Sequence, residues 1–333
     1  MDIIDEFKQR AKANPKRIVL PEPEDERVLR AAAIVGAEGT AKPILIGNEG
    51  VVRDHAARFG LDLERVQIVE PSSSPKLPEY VEMYCTRKSS SEKLAQAVLR
   101  KAMNFGFMMT VTGDADATVA GASHTSGEII ATANLVLGLS SGISLPSSFL
   151  LIAIPGCKYG ENGVFIFSDA SVNPEPQPEG LADIAAASAL SARTMLGWTP
   201  RVAMLSFSTK GSASHSMVEK VVKATAIARE KFPDLVIDGE LQADAALVPD
   251  VAGRKVPGGS AVAGKANVLI FPDLNASNIA YKLVERLAGA HAYGPILQGF
   301  SRPVSDLSRG ATVEDIVGTI TLLAVQAQRW KRE

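Results

Sequence analysis

The sequence of this chain has a rhythm that few folds can satisfy. Short apolar runs alternate with longer stretches whose apolar residues recur at helical spacing. Residues 3–12 place Ile3, Ile4, Phe7 and Ala11 on one helical face. A strand over 17–21, an Ala-, Val- and Leu-rich helix over 25–37, a strand over 42–46, a helix over 51–59 and a strand over 66–69 follow. Helices over 78–87 and 92–109 precede a small-residue strand at 117–120 and a helix at 128–137. The rhythm then resumes with strands at 149–154 and 164–167, joined only by a Gly-rich turn and so read as antiparallel. A Pro-rich loop at 173–178 leads to helices at 181–196, 217–231, 243–251 and 278–287, interleaved with strands at 202–207, 236–238 and 268–271. Such alternation is the signature of βαβ units and parallel sheets, here two doubly wound α/β domains with a cleft between them.

At 333 residues the chain is long enough for two cores, and the pattern alone divides it near residue 145. The net charge of −2 argues against a nucleic-acid partner. No apolar run is long enough to span a membrane, and the charged N-terminus lacks an apolar signal core. Cys85 and Cys157 make neither a disulfide framework nor a metal-ligand spacing, so no metal site and a cytoplasmic setting are expected.

Chemistry gathers near the C-terminus, in Gly294-Pro-Ile-Leu-Gln-Gly-Phe-Ser-Arg-Pro-Val-Ser-Asp-Leu-Ser-Arg-Gly-Ala-Thr-Val-Glu-Asp315. A short buried strand at Ile296 and Leu297 runs into a loop punctuated by Gly299, Pro303 and Gly310, and a long helix opens at Thr312. Ser308, Arg309 and Asp315 then meet at a strand–loop–helix junction beside free N–H groups, an arrangement suited to an anionic substrate. The same residues also read as an ordinary exposed turn followed by a capping box from Thr312 to Asp315.

Asp306-Leu-Ser-Arg-Gly310, with an acid five residues after Arg309, resembles the active-site segment of the phosphate acetyltransferase (phosphotransacetylase) family. Gly113-Asp-Ala-Asp116, Ala120-Gly-Ala122, Leu205-Ser-Phe-Ser-Thr-Lys-Gly-Ser212, Asp238-Gly-Glu-Leu-Gln242, Ala266-Asn-Val-Leu-Ile-Phe-Pro272 and Ser277-Asn-Ile-Ala-Tyr-Lys282 resemble that family in the same order. The resemblance implies an isocitrate/isopropylmalate dehydrogenase-like fold. It also implies that the last segment returns to the first domain, giving 1–145 plus 295–333 and 146–294. It further implies a homodimer, no permanently bound cofactor, and coenzyme A (as acetyl-CoA or free thiol), acetyl phosphate and phosphate as substrates.

The implied reaction is reversible acyl transfer by direct thiol attack in a ternary complex. A free thiol titrates near about 8.5, so a base must take its proton. The resemblance gives that role to Asp315, and burial is expected to raise an aspartate that otherwise titrates near about 3.9. It gives Arg309 the phosphate oxygens, which its planar donor fork fits, and Ser308 a hydrogen bond to the developing oxyanion.

Arg87 matches the family's coenzyme A arginine, although by pattern it is a cation at a helix C-terminus. Ser208, Thr209, Lys210 and Gly211 form a loop between strand and helix whose N–H groups can face an anion, without Walker spacing. Tyr281 and Lys282 lie on a helix that the resemblance places beside the cleft. His124 is a further substrate contact or a structural histidine. The chain departs from the family where an arginine usually follows this histidine. Ala131 and Thr132 stand there, which removes a charge-assisted contact worth about 1.5–3 kcal/mol and bears on the acyl group accepted.

Three other readings compete. A phosphate propionyl- or butyryltransferase would differ in acyl chain length. A non-catalytic acyl-CoA- or acyl-phosphate-sensing module would resemble the domain appended to some malic enzymes. A nicotinamide dehydrogenase would need a Gly-x-Gly-x-x-Gly turn after the first strand, where Leu20-Pro-Glu-Pro-Glu-Asp25 stands instead.

Overall fold

The computed structural model describes residues 3–140 and 143–330. Along the chain run strands β1 (Lys16–Leu20), β2 (Ala41–Ile46), β3 (Gln67–Val69), β4 (Ala117–Ala120), β5 (Ser147–Ala153), β6 (Val164–Ser168), β7 (Val202–Leu205), β8 (Ile237–Leu241), β9 (Val268–Ile270), β10 (His291–Gln298) and β11 (Val304–Asp306). The helices are α1 (Ile3–Ala13), α2 (Glu26–Glu38), α3 (Glu49–Arg58), α4 (Leu77–Lys88), α5 (Glu92–Leu99), α6 (Ala102–Thr112), α7 (Ser126–Val136), α8 (Pro178–Ser191), α9 (Ser216–Lys231), α10 (Ala243–Leu247), α11 (Pro249–Lys255), α12 (Leu274–Ala288) and α13 (Val313–Arg329). None among the described residues is long and apolar enough to cross a membrane. The chain divides into two compact units, one drawn from both ends (Met1–Ser141 with Phe300–Glu333) and one continuous (Gly142–Gly299).

In the first unit the strands lie in the order β3-β2-β1-β4-β11, all parallel. The chain winds outward from β1 to β3, then crosses back over β1 to β4, so right-handed crossovers place helices on both faces. Helix α13, buried along most of its length, packs on α1, α2, β1 and β4. Helix α6 packs on β1, β2 and β4. It sits close to the sheet because Gly106 has no side chain: a Cβ there would lie 2.6 Å from Val19 Cγ1. The strand order reverses between β1 and β4, the place where open α/β sheets bind ligands beyond their carboxyl ends. The loops leaving β1, β4 and β11 therefore emerge side by side.

The second unit has the strand order β10-β5-β6-β9-β7-β8, with β10, β5 and β6 antiparallel and the rest parallel. Its core includes Leu150, Ile152, Phe165, Phe167, Leu269 and Phe271. The antiparallel pair expected from the Gly-rich turn is β5–β6, in register from Ala153↔Val164.

Several elements differ from the sequence pattern. The single helix expected over 92–109 is two, because Lys101 is extended and Asn104 Nδ2 donates to the Val98 carbonyl at 2.8 Å, closing α5. The helix expected over 243–251 breaks at Val248, since Pro249 has no N–H to continue it and starts α11 instead. The helix expected over 181–196 begins earlier, at Pro178, and ends in a π-turn over Ala192–Leu196. The loop expected after Leu297 contains β11, paired with β4 through Val304↔Thr118 to Asp306↔Ala120.

Candidate active site

Just beyond β1, Glu22 is 1% exposed and its carboxylate gathers the β4–α7 loop. Oε2 accepts from the N–H groups of Gly121 (2.7 Å) and Ala122 (2.9 Å). Oε1 accepts from the N–H groups of Ser123 and His124, both at 3.0 Å, and from Ser123 Oγ. Oε1 also lies 2.7 Å from His124 Nδ1. Burial pushes the Glu22 carboxyl up, but the bonds from His124, Ser123, Ala122 and Gly121 together outweigh it and hold the group below the usual carboxylate range. Oε1 therefore carries no proton, and Nδ1 is the donor. Gly121 is required where the loops meet: at φ +113° its Cβ would lie 2.3 Å from Asp306 Oδ1 and 2.7 Å from the Leu307 nitrogen.

Arg27, in the first turn of α2, ties this loop to the one after β11. Its guanidinium donates to the carbonyls of Ala122 (3.1 Å), Arg309 (2.8 Å) and Ala311 (2.9 Å), and Asp25 pairs with it at 2.7 Å. Asp25 also caps α2 by accepting from the Arg27 N–H at 2.9 Å. Arg27 thus fixes the backbone of Arg309 and leaves that side chain exposed, with no hydrogen bond or ion pair of contact length among the described residues. Ser308 is exposed beside it, its Oγ accepting from the Gly310 N–H at 3.3 Å. The Glu128 carboxylate, on the first turn of α7, lies within electrostatic reach of both His124 and Arg309. Through Arg27 the structure ties the loop carrying His124 to the loop carrying Ser308 and Arg309.

Asp315 occupies the third position of α13 and forms the capping box that the pattern allowed. Thr312 N–H donates to Asp315 Oδ2 (2.8 Å), and Asp315 N–H to Thr312 Oγ1 (3.1 Å). The burial expected of Asp315 is not found, because a capping carboxylate must reach back over an open helix end; the residue is partly exposed. In this segment the buried carboxylate is Asp306, 1% exposed, with no hydrogen-bond partner on Oδ1. Burial pushes its pKa up to about 6, opposed by Ser126 and the Leu307 N–H and aided by the charge of Glu22.

Arg87, in the last turn of α4, donates to the Leu137 carbonyl at the end of α7 (2.9 Å), and Ala131 is exposed on α7. In the second unit the 208–211 loop turns inward. Ser208 Oγ (2.9 Å) and the Gly211 N–H (2.7 Å) donate to Glu240, and Thr209 Oγ1 accepts from the Gln242 N–H. Lys210 pairs with Asp238 and lines an open cavity of about 540 Å³ with Arg229 and Ser260. These donors face internal acids; they do not present the outward row of N–H groups expected for an anion. Tyr281 packs partly against the unit's core, and the exposed Lys282 ammonium sits 5.0 Å from its ring centre.

Glu22, Arg27 and Asp306 escaped the sequence reading. A signal existed for Glu22: Pro-Glu-Pro-Glu stands where a nucleotide-binding sheet would carry glycines, and an acid there can organise a neighbouring loop. No three His, Cys, Asp or Glu among the described residues are grouped to hold a metal.

A doubly wound unit presenting an exposed arginine, a serine and a carboxylate-backed histidine at its switch point has the chemistry to hold a phosphorylated substrate. The sequence profile of the phosphate acetyl/butaryl transferase family matches residues 2–324, and the chain belongs to that family. It is 50% identical over 331 residues to the phosphate acetyltransferase of Thermoanaerobacterium thermosaccharolyticum, covering 98% of this chain and 100% of the relative. It is 47% identical to that of Acetivibrio thermocellus, covering 98% and 99%. Among solved structures, the phosphotransacetylase of Staphylococcus aureus superposes with a TM-score of 0.90 at 39% identity, covering 98% of each chain.

Proposed function

We propose that this chain catalyses reversible transfer of an acetyl group between acetyl phosphate and coenzyme A, by direct attack of the thiol in a ternary complex. The observation that carries this reading is Arg309: its backbone is fixed by Arg27 while its guanidinium stands exposed beside Ser308, with no contact-length hydrogen bond or ion pair among the described residues. A free planar fork can take two phosphate oxygens at once, and Ser308 Oγ can donate to the oxyanion that forms on the carbonyl. Asp315, at the start of α13, takes the proton of the thiol. Arg87 supplies a further contact to coenzyme A, which is a substrate and not a resident cofactor. Two free cysteines, Cys85 and Cys157, fit a cytoplasmic setting.

A homodimer is part of the same reading. Helix α12 buries only Ser277 and exposes Ile279 (58%), Leu283 (52%) and Leu287 (82%) at four-residue spacing, a continuous apolar stripe that a second copy would cover. One observation favours a second acyl specificity: exposed Ala131 stands at the family's arginine position, so longer acyl phosphates meet no guanidinium there. The test is thioester absorbance after mixing the protein, coenzyme A and a series of acyl phosphates. Acetyl phosphate is expected to give the highest kcat/KM. A higher value with propionyl or butyryl phosphate would move the chain to the other branch, and no thioester with any of them would refute the transferase reading.

A further inference from the structure

The mechanism above assigns no work to Glu22, yet this carboxylate has the most fully occupied surroundings of the site. Because Glu22 Oε1 is ionised and 2.7 Å from His124 Nδ1, that nitrogen must carry the ring proton. In the neutral ring the lone pair is then left on Nε2, and the side chain is 40% exposed. The same carboxylate holds the His124 N–H at 3.0 Å, so the backbone and the ring are fixed from one point. The loop carrying this ring is bound through Arg27 to the loop carrying Arg309.

We propose that His124, oriented by Glu22, handles the proton of the phosphate: Nε2 accepts it when phosphate attacks the thioester and returns it when phosphate departs. This rests on the transferase reading, whose chemistry leaves that proton unassigned. In the direction from thioester to acyl phosphate, the O–H bond of hydrogen phosphate breaks and its proton passes to Nε2. The freed oxygen pair forms the new C–O bond at the carbonyl carbon. The C–S bond breaks, its electron pair leaves on sulfur, and sulfur takes a proton from Asp315. Reversal returns the Nε2 proton to the leaving phosphate oxygen and the thiol proton to Asp315. Glu22 touches no substrate and is a positioning residue; a carboxylate behind an imidazole fixes its tautomer and steadies the imidazolium while it exists.

Three variants of the full chain test this. His124→Asn keeps an amide donor for Glu22 but has no Nε2. Its kcat with acetyl-CoA and phosphate should fall by about 10²–10⁴ while the KM for phosphate moves by less than about tenfold. His124→Ala should regain turnover on addition of free imidazole, which a purely structural histidine would not allow. Glu22→Gln keeps an acceptor for the loop's N–H groups. It should lose kcat by at least about tenfold, and the nitrogen NMR shifts of His124, read above the range where histidine titrates, should no longer show Nδ1 as the protonated nitrogen. Wild-type kcat in His124→Asn would overturn the proposal, as would an unchanged tautomer with full activity in Glu22→Gln. A wild-type chain that makes no thioester would instead refute the underlying reading.

Discussion

Glu22 and Asp306 are both 1% exposed, yet their carboxyl groups are shifted in opposite directions. Burial pushes both up. At Glu22 four backbone N–H groups and a histidine outweigh it, whereas Asp306 Oδ1 has no partner. Asp306 therefore titrates near about 6, above an ordinary aspartate, so the fold holds its proton more tightly than the unfolded chain does. Above that pH the fold bears the full cost of a buried charge that Ser126 and the Leu307 N–H satisfy only in part. The cost shrinks as pH falls through the folded value and vanishes below the unfolded one. Asp306→Asn is accordingly expected to be more stable than the parent in alkaline buffer, by up to about 3 kcal/mol, with the two converging in acid. Urea unfolding across this pH range checks it. Neither shift was legible in the sequence, because Asp306 reads there as one polar residue in a loop and its burial is made by β4 and α13.

The start of α13 was the most legible element and is the most doubly used. Thr312 and Asp315 announce a capping box by spacing alone, and the box is present with both of its hydrogen bonds. Thr312→Ala should cost about 1 kcal/mol in denaturant unfolding. Asp315→Asn keeps an acceptor for the Thr312 N–H and should leave that midpoint nearly unchanged while lowering thioester formation by about 10²–10⁴. Equal losses of stability and rate in both variants would show that Asp315 serves the helix and not the thiol. Strand β11 was illegible for a physical reason: it follows Pro303, has three residues and includes Ser305 and Asp306, so no period can register. Its pairing with β4 nonetheless brings Ser308 and Arg309 beside His124.

At the scale of the molecule, the alternation of strands and helices was readable because each βαβ unit buries its own apolar run. The return of the C-terminal segment to the first unit was not readable from pattern, since only the partner of β11 reveals it; family resemblance supplied that expectation. The α12 stripe gives the assembly a test. Sedimentation should report about twice the 35.2 kDa chain mass, and Leu283→Glu should reduce it to one chain mass by placing a charge in an apolar contact. A parent that sediments as a single chain would contradict the dimer.

The proposed transfer depends most on Arg309, whose backbone Arg27 fixes and whose exposed side chain would take the phosphate. The direct measurement is kcat/KM for acetyl phosphate in Arg309→Gln, taken with its unfolding midpoint. The expected result is a fall of about 10–10²-fold with an unchanged midpoint, the loss of a charge-assisted pair of hydrogen bonds at an exposed residue. Parent-like kcat/KM in that variant would contradict the assignment of the site.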